Sequence, residues 1–308
     1  MYWTAYFDAH GKYRVGVLQD AKIHALPVGT DFVALLQAGE SLEEWGRRAL
    51  DEPAETVGEA TVNRAAVVQV PPSIRDFFAF EEHVVTSNAA LGLPVHPDWY
   101  NIPVFYFTNP AAVRNPGENV RIAPGSKKFD FELEFAVVIG AAGSDIAVGD
   151  AERYIAGYMT MCDWSARDLQ EREMKLTLGP SKGKDSATGF GPYLVTPDEL
   201  ESLRKDKGFD IAITASVNGR RYSEGNLSTI YWSFAQMIAY ASRGTQLRPG
   251  DVICSGTVGT GCILELSRVH GSNAYPYLNP GDHVRIDGGI LGVLEATLQA
   301  GEEPKPLS

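Results

Sequence analysis

The stretch Phe129-Asp130-Phe131-Glu132-Leu133-Glu134-Phe135, which runs straight into Ala136-Val137-Val138-Ile139, constrains the fold of this chain more than any other segment. Strict alternation on a strand puts Asp130, Glu132 and Glu134 on one face and the large apolar side chains on the other. Taken alone, that alternation also fits an amphipathic strand whose acids face water. The apolar run that follows has no polar face, which is the pattern of a strand covered on both sides. Carboxylates gathered in such a low-dielectric setting repel one another and need protons or a cation. A hard ion with oxygen ligands (Mg2+, Mn2+ or Ca2+) would compensate them and leave positions for water or substrate oxygens. Two other segments offer an Asp to complete the site: Asp76 in Arg75-Asp76-Phe77-Phe78, and Asp163 in Cys162-Asp163-Trp164.

Strand signals outnumber helix signals in the rest of the chain. Residues 103–107, 158–163, 209–217, 251–255, 262–266, 283–286 and 292–297 read as strands, and Asn218-Gly219 reads as a tight hairpin turn. Leu247-Arg248-Pro249-Gly250-Asp251 and Leu278-Asn279-Pro280-Gly281-Asp282 share one turn chemistry, Pro setting the first corner and Gly accepting positive φ at the second. Helical spacing is expected over 31–50, 76–91, 150–155, 198–205 and 228–242. Pro71-Pro72 interrupts regular structure after a strand at 65–70. The boundary is therefore placed there, with a small N-terminal domain at 1–70 and a catalytic domain at 71–308.

At 308 residues and 44% hydrophobic content the chain can bury a substantial core. A formal charge of −12, with no Lys/Arg run longer than two, argues against a nucleic-acid partner. No apolar stretch approaches the ~18 residues of a membrane span, and the first residues lack the pattern of a signal peptide. A cytoplasmic protein with no membrane partner is expected. Cys162, Cys254 and Cys262 are odd in number and show no C-x-x-C spacing, so they read as small buried apolar residues.

The order F-E-L-E-F-A-V-V-I-G, then D-W-S-A-R-D-L-Q, then G-P-S-K-G-K-D-S-A-T resembles the fumarylacetoacetate hydrolase superfamily. The resemblance runs from about Asp76 to the C-terminal strands. It implies an α+β, mainly β fold, a mixed β-sandwich roll with peripheral helices, and a homodimer. It also implies that Asp76, Glu132, Glu134 and Asp163 ligate a divalent ion, Mg2+, Mn2+ or Ca2+. Asp130 is not a ligand by this resemblance and is expected behind the ligands or in solvent.

By the same resemblance Arg167 and Gln170 hold substrate, Lys184 stabilises an oxyanion and Thr188 lies beside the metal ligands. An Arg fork and an amide donor suit a carboxylate or an enolate oxygen; the alternative for Arg167 is a simple pairing with Asp168 or another acid. The Gly-rich loop at 179–185 is one residue short of a P-loop and has Asp185 where Ser or Thr should stand. His83 is at the offset of the family's water-activating base, and Glu265, in Ile263-Leu264-Glu265-Leu266, at that of its partner acid. The alternatives are a solvated His83 and an outward-facing Glu265. Phe78 replaces a substrate-contacting Tyr of the namesake enzyme, and the loop from Thr257 to Glu265 is shorter, so the substrate differs more readily than the reaction centre. The implied activity is hydrolysis of a carbon–carbon bond in a small diketo acid. The alternatives are a metal-enolate decarboxylase, isomerase or dehydratase of a keto acid and, in another class, a catalytically silent metal-binding protein.

Overall fold

The apolar run becomes the centre of the molecule. The structure, a computed structural model, describes residues 1–89 and 92–308. The strand Leu133–Ile139 is buried at every position and lies between the antiparallel strands Ile155–Asp163 and Val252–Cys254. Beyond Val252–Cys254 come Ile74–Phe77, in parallel register, and Phe105–Thr108 at the edge. On the other side, Tyr193–Val195 links the sheet to Tyr2–Phe7, Tyr13–Gln19, Lys22–Ala25 and Glu55–Gly58. The N-terminal strands thus extend the same mixed sheet that carries the body.

The two faces of Leu133–Ile139 enter different cores, as its apolar run requires. Leu133, Phe135, Val137 and Ile139 pack in one core with Ile213, Val284, Ile286 and Leu294. Those partners belong to a second sheet, ordered Arg220–Asn226, Ala212–Val217, His283–Asp287, Val293–Gln299 and Val120–Arg121. Ala136 and Val138 pack in another core with Trp3, Val15, Val17 and Phe32. The fold is mixed α+β, mainly β, with helices at the periphery. Among the described residues no helix is long and apolar enough to cross a membrane.

Turn chemistry is where expected. Gly250 and Gly281 take φ of 93° and 94°, and Asn218 and Gly219, both at positive φ, join two paired strands. Element boundaries differ in four informative places. The helix expected over 31–50 is two helices, Phe32–Gln37 and Leu42–Asp51, because Gly39 turns to φ 81° and Ser41 opens a new capping box with Glu44. Asp76 lies on the strand Ile74–Phe77, not at a helix start; the helix is Glu81–Ala89, and the expected end at Leu91 lies outside the described residues. In place of the helix expected over 150–155, residues 150–154 form part of a 3-10 turn, Val148–Tyr154, and Ile155 already begins the strand. The strand expected at 262–266 is instead the helix Ile263–His270, whose buried Ile263 and Leu266 are three apart.

Gly256 follows the Val252–Cys254 strand with φ 76°, and a Cβ there would stand 2.3 Å from the Phe77 carbonyl oxygen. Gly256→Ala is expected to lose more than about 1 kcal/mol of stability, since both the backbone conformation and the space are wrong for a side chain. An unchanged urea midpoint would show that the Asp76 strand can retreat without strain.

Candidate active site

Four neighbouring strands end on the same side of the sheet, and their order brings the acids together. Asp163 closes Ile155–Asp163, Glu134 opens Leu133–Ile139, and Asp76 sits opposite Cys254 in the parallel pair. Glu132 lies in the break between Phe129–Asp130 and Leu133–Ile139, bridged to Cys262. Oxygens of Glu132, Glu134 and Asp163 lie within 4.8 Å of one another, and Glu134 also groups with Asp76. All four side chains are buried.

Two cations enter the cluster. The Lys184 ammonium bonds Glu132, Asp163 Oδ2 at 2.5 Å and Ser165 Oγ at 2.7 Å. The Arg167 guanidinium donates Nε to Asp130 at 2.8 Å, Nη2 to Glu132 at 2.7 Å and Nη1 to the Gln170 carbonyl oxygen at 3.1 Å. Arg167 therefore pairs with acids of the centre, while Asp168 accepts from Ser126 and Lys127 instead. Gln170 keeps an amide nitrogen with no protein partner among the described residues.

These contacts split the acids electrically. Burial opposes charge on Glu132, but Arg167 and Lys184 outweigh it and hold its carboxyl below the usual range. Burial, then Asp163, pushes Asp76 up to about 8. Burial also raises Asp163 to about 6 despite Lys184, and Glu134 rises well above the ordinary value through burial and Asp76. Asp76 Oδ1, Glu134 Oε1, Asp163 Oδ1 and Thr188 Oγ1 are buried without a hydrogen-bond partner among the described residues. Thr188 stands directly opposite Asp163 in the sheet. Unbonded buried oxygens converging on one place suit a hard divalent cation, which takes several oxygen ligands at once.

Asp130 is not a solvated acid. It is fully buried and accepts from the N–H groups of Ile263 at 2.8 Å and Leu264 at 3.0 Å. Cys262, at the N-cap of that helix, makes no side-chain cap, so Asp130 supplies one from a distant strand. The first turn so fixed carries Glu265, fully buried, with Oε2 at 2.7 Å from His83 Nδ1. A carboxylate only accepts, so Nδ1 donates and Nε2 keeps its lone pair. The Phe78 ring meets the His83 ring edge-on, centroids 5.2 Å apart, and the Phe78 carbonyl accepts from the indole of buried Trp99 at 2.8 Å.

All ten residues singled out by sequence are interior or lie beside interior partners, but sequence reasoning missed two others. Tyr106, directly across the sheet from Asp76, donates its hydroxyl between Asp76 Oδ2 at 2.8 Å and Asp163 Oδ2 at 2.6 Å. Ser165 receives the third Lys184 donor. Its place in D-W-S-A-R-D was a signal; Tyr106 had none beyond being the one hydroxyl in an aromatic run.

A family model described as fumarylacetoacetate (FAA) hydrolase C-terminal matches residues 73–299. Over 252 residues the chain is 31% identical to a fumarylacetoacetase of Oryza sativa subsp. japonica, covering 65% of this chain and 58% of that protein. The chain thus spans less than two thirds of that relative's length. Its structure is similar to the fumarylacetoacetate hydrolase from psychrophilic Exiguobacterium antarcticum, with TM-score 0.76, 23% identity and coverage of 97% and 99%. It is also similar to the maleylpyruvate hydrolase from Sphingobium sp. SYK-6 in complex with manganese(II) ion and pyruvate, with TM-score 0.70, 20% identity and coverage of 98% and 100%. At these identities the two structures establish a shared fold.

Two predictions follow from the electrostatics. Asp76 and Asp163 lose their protons near the ordinary value of 3.8 when unfolded but retain them toward about 8 and about 6 when folded. The folded state then binds more protons, so metal-stripped protein should lose stability as pH rises from about 4, up to about 6 through Asp163 and up to about 8 through Asp76, by ~1.4 kcal/mol per pH unit for each retained proton. Mg2+ or Mn2+ should restore it most at the alkaline end and release protons on binding. Equal melting temperatures at both ends, or metal uptake without proton release, would contradict this. Separately, Asp130→Ala leaves Arg167 short of a buried partner and the Glu265 helix uncapped, and should cost about 3–5 kcal/mol by chemical denaturation.

Proposed function

The chain belongs to the fumarylacetoacetate hydrolase family, and from that premise we propose that it is a divalent-cation-dependent hydrolase of a β-diketo acid, of the acylpyruvate or fumarylacetoacetate type. The observation that carries this reading is the buried His83–Glu265 contact at 2.7 Å. It leaves Nε2 able to take a proton and holds the imidazole against the Glu265 helix, which Asp130 ties to Arg167. Asp76, Glu132, Glu134 and Asp163 are the proposed ligands. The Sphingobium protein holds manganese and pyruvate together, which supports a divalent ion and a keto acid.

A divalent cation held by Asp76, Glu132, Glu134 and Asp163 would supply Lewis acidity toward a bound diketo acid. His83 Nε2 takes a proton from water while Glu265 stabilises the imidazolium that forms. The water oxygen adds to the distal carbonyl carbon, and the bond from that carbon to the central carbon breaks. Its electron pair passes to the enolate fragment, which gains a proton to become the second acid. Lys184 and Arg167 keep positive charge beside the oxygens where negative charge grows, and the Gln170 amide donates to them. Tyr106 fixes the orientation of Asp76 and Asp163, and Thr188 would offer its unbonded hydroxyl beside them.

Decarboxylation, isomerisation or dehydration on this scaffold requires no water-activating pair, so the His83–Glu265 contact favours hydrolysis over them. Loss of diketone ultraviolet absorbance should depend on Mg2+ or Mn2+ and release two acids, pyruvate among them for an acylpyruvate. His83→Ala should lower kcat about 10²–10⁴-fold while metal uptake stays intact. Carbon dioxide as product, or turnover surviving that substitution, would instead assign the protein to the lyases.

A further inference from the structure

One cluster of ligating side chains plays no part in holding the hard cation. His83, Cys262 and Glu265 each offer a ligand atom, and the three atoms lie within 4.8 Å of one another. The Cys262 thiol donates to Glu265 Oε2 at 3.5 Å, the same oxygen that faces His83 Nδ1. All three side chains are buried. We propose that they form a second cation site, selective for a thiophilic transition ion such as Zn2+, whose occupation switches the His83–Glu265 pair off.

The donor set decides the class of ion. One imidazole nitrogen, one sulfur and one carboxylate oxygen match Zn2+, whereas Mg2+ and Ca2+ avoid sulfur and find four carboxylates in the neighbouring cluster. Bonds of about 2.0–2.3 Å around a tetrahedral ion set its ligands ~3.3–3.8 Å apart. The thiol and the Glu265 oxygen already stand at 3.5 Å, so the His83–Glu265 pair has to open by less than ~1 Å. Three protein ligands leave the fourth position to water.

The place of Cys262 is also unusual for its element. It occupies an N-cap, where Ser, Asn, Asp or Thr would bond the first turn, yet it makes no such bond because Asp130 does so. Its side chain turns to Glu265 instead.

Binding releases the thiol proton to solvent. His83 binds through Nδ1 as the neutral imidazole, with its proton on Nε2. That tautomer has no lone pair where water must be deprotonated. Zn2+ therefore inhibits without displacing the hard ion, and excess Mg2+ does not relieve it. The site itself stands on geometry; only its effect on turnover rests on the proposed role of His83.

Co2+ is the probe, added to full-length protein held in excess Mg2+. The expected result is a thiolate-to-cobalt charge-transfer band saturating at one equivalent, abolished by Zn2+ and absent from Cys262→Ser and Cys262→Ala. In the same Mg2+-loaded protein, Zn2+ should inhibit, and Cys262→Ser should raise the half-inhibiting concentration about 10–100-fold. No band in the wild type overturns the site. A band that survives Cys262→Ser but vanishes in Cys254→Ser also overturns it, by assigning the ion to the carboxylate cluster. A Cys262-dependent band without inhibition overturns the switch and, separately, the reading of His83 as the base.

Discussion

Five carboxylates, Asp76, Asp130, Glu132, Glu134 and Asp163, are buried at and beside one end of a sheet, and among the described residues Lys184 and Arg167 form the ion pairs with them. Such a group cannot be fully ionised without further compensation. The surrounding architecture gives each acid a different answer. Glu132 takes both cations, which favour its charged form, Asp130 pairs with Arg167 and a helix end, and burial disfavours charge on Asp76, Glu134 and Asp163. A hard ion would offset the cost of that burial.

The same burial explains why the centre is built on strands. Adjacent strands hold neighbouring residues at fixed spacing, and the three that contribute Asp76, Glu134 and Asp163 belong to a sheet with packed cores on its two faces. Tyr106 and Thr188 come from strands that pair directly with those bearing Asp76 and Asp163. The His83–Glu265 pair is mounted differently, on two helices. Glu265 is fixed through Asp130, whereas His83 packs beside Phe78.

Much of this was legible in the sequence because periodicity and composition coincide there. The alternation of acids in 129–135 and the apolar run after it announce a doubly covered strand with carboxylates at one end. The Pro-Gly-Asp turns and Asn218-Gly219 depend on local backbone preferences and fall where expected. What stayed hidden depends on contacts between distant segments. Ile263-Leu264-Glu265-Leu266 fits a buried strand as well as a first helical turn, and the cap that decides between them comes from Asp130. Asp76 follows a Pro-Pro break and precedes helical spacing, yet its pairing with Val252–Cys254 claims it for the sheet. Tyr106 sits between Phe105 and Phe107, and only the register opposite Asp76 distinguishes its hydroxyl from a surface one.

Asp130 shows how far such a contact can reach. One carboxylate accepts the first two N–H groups of the Glu265 helix and the Nε of Arg167, and Arg167 in turn holds Glu132 and Gln170. Glu265, the guanidinium and a proposed metal ligand are therefore linked through Asp130. A chain of charge-assisted bonds in a dry interior is strong and directional. Moving the helix by a fraction of an ångström changes the geometry at Glu132, and charge taken up at Glu132 is felt at the helix end. The carboxylate cluster and the His83–Glu265 pair are thus joined through Asp130 and Arg167, although they lie on different kinds of secondary structure.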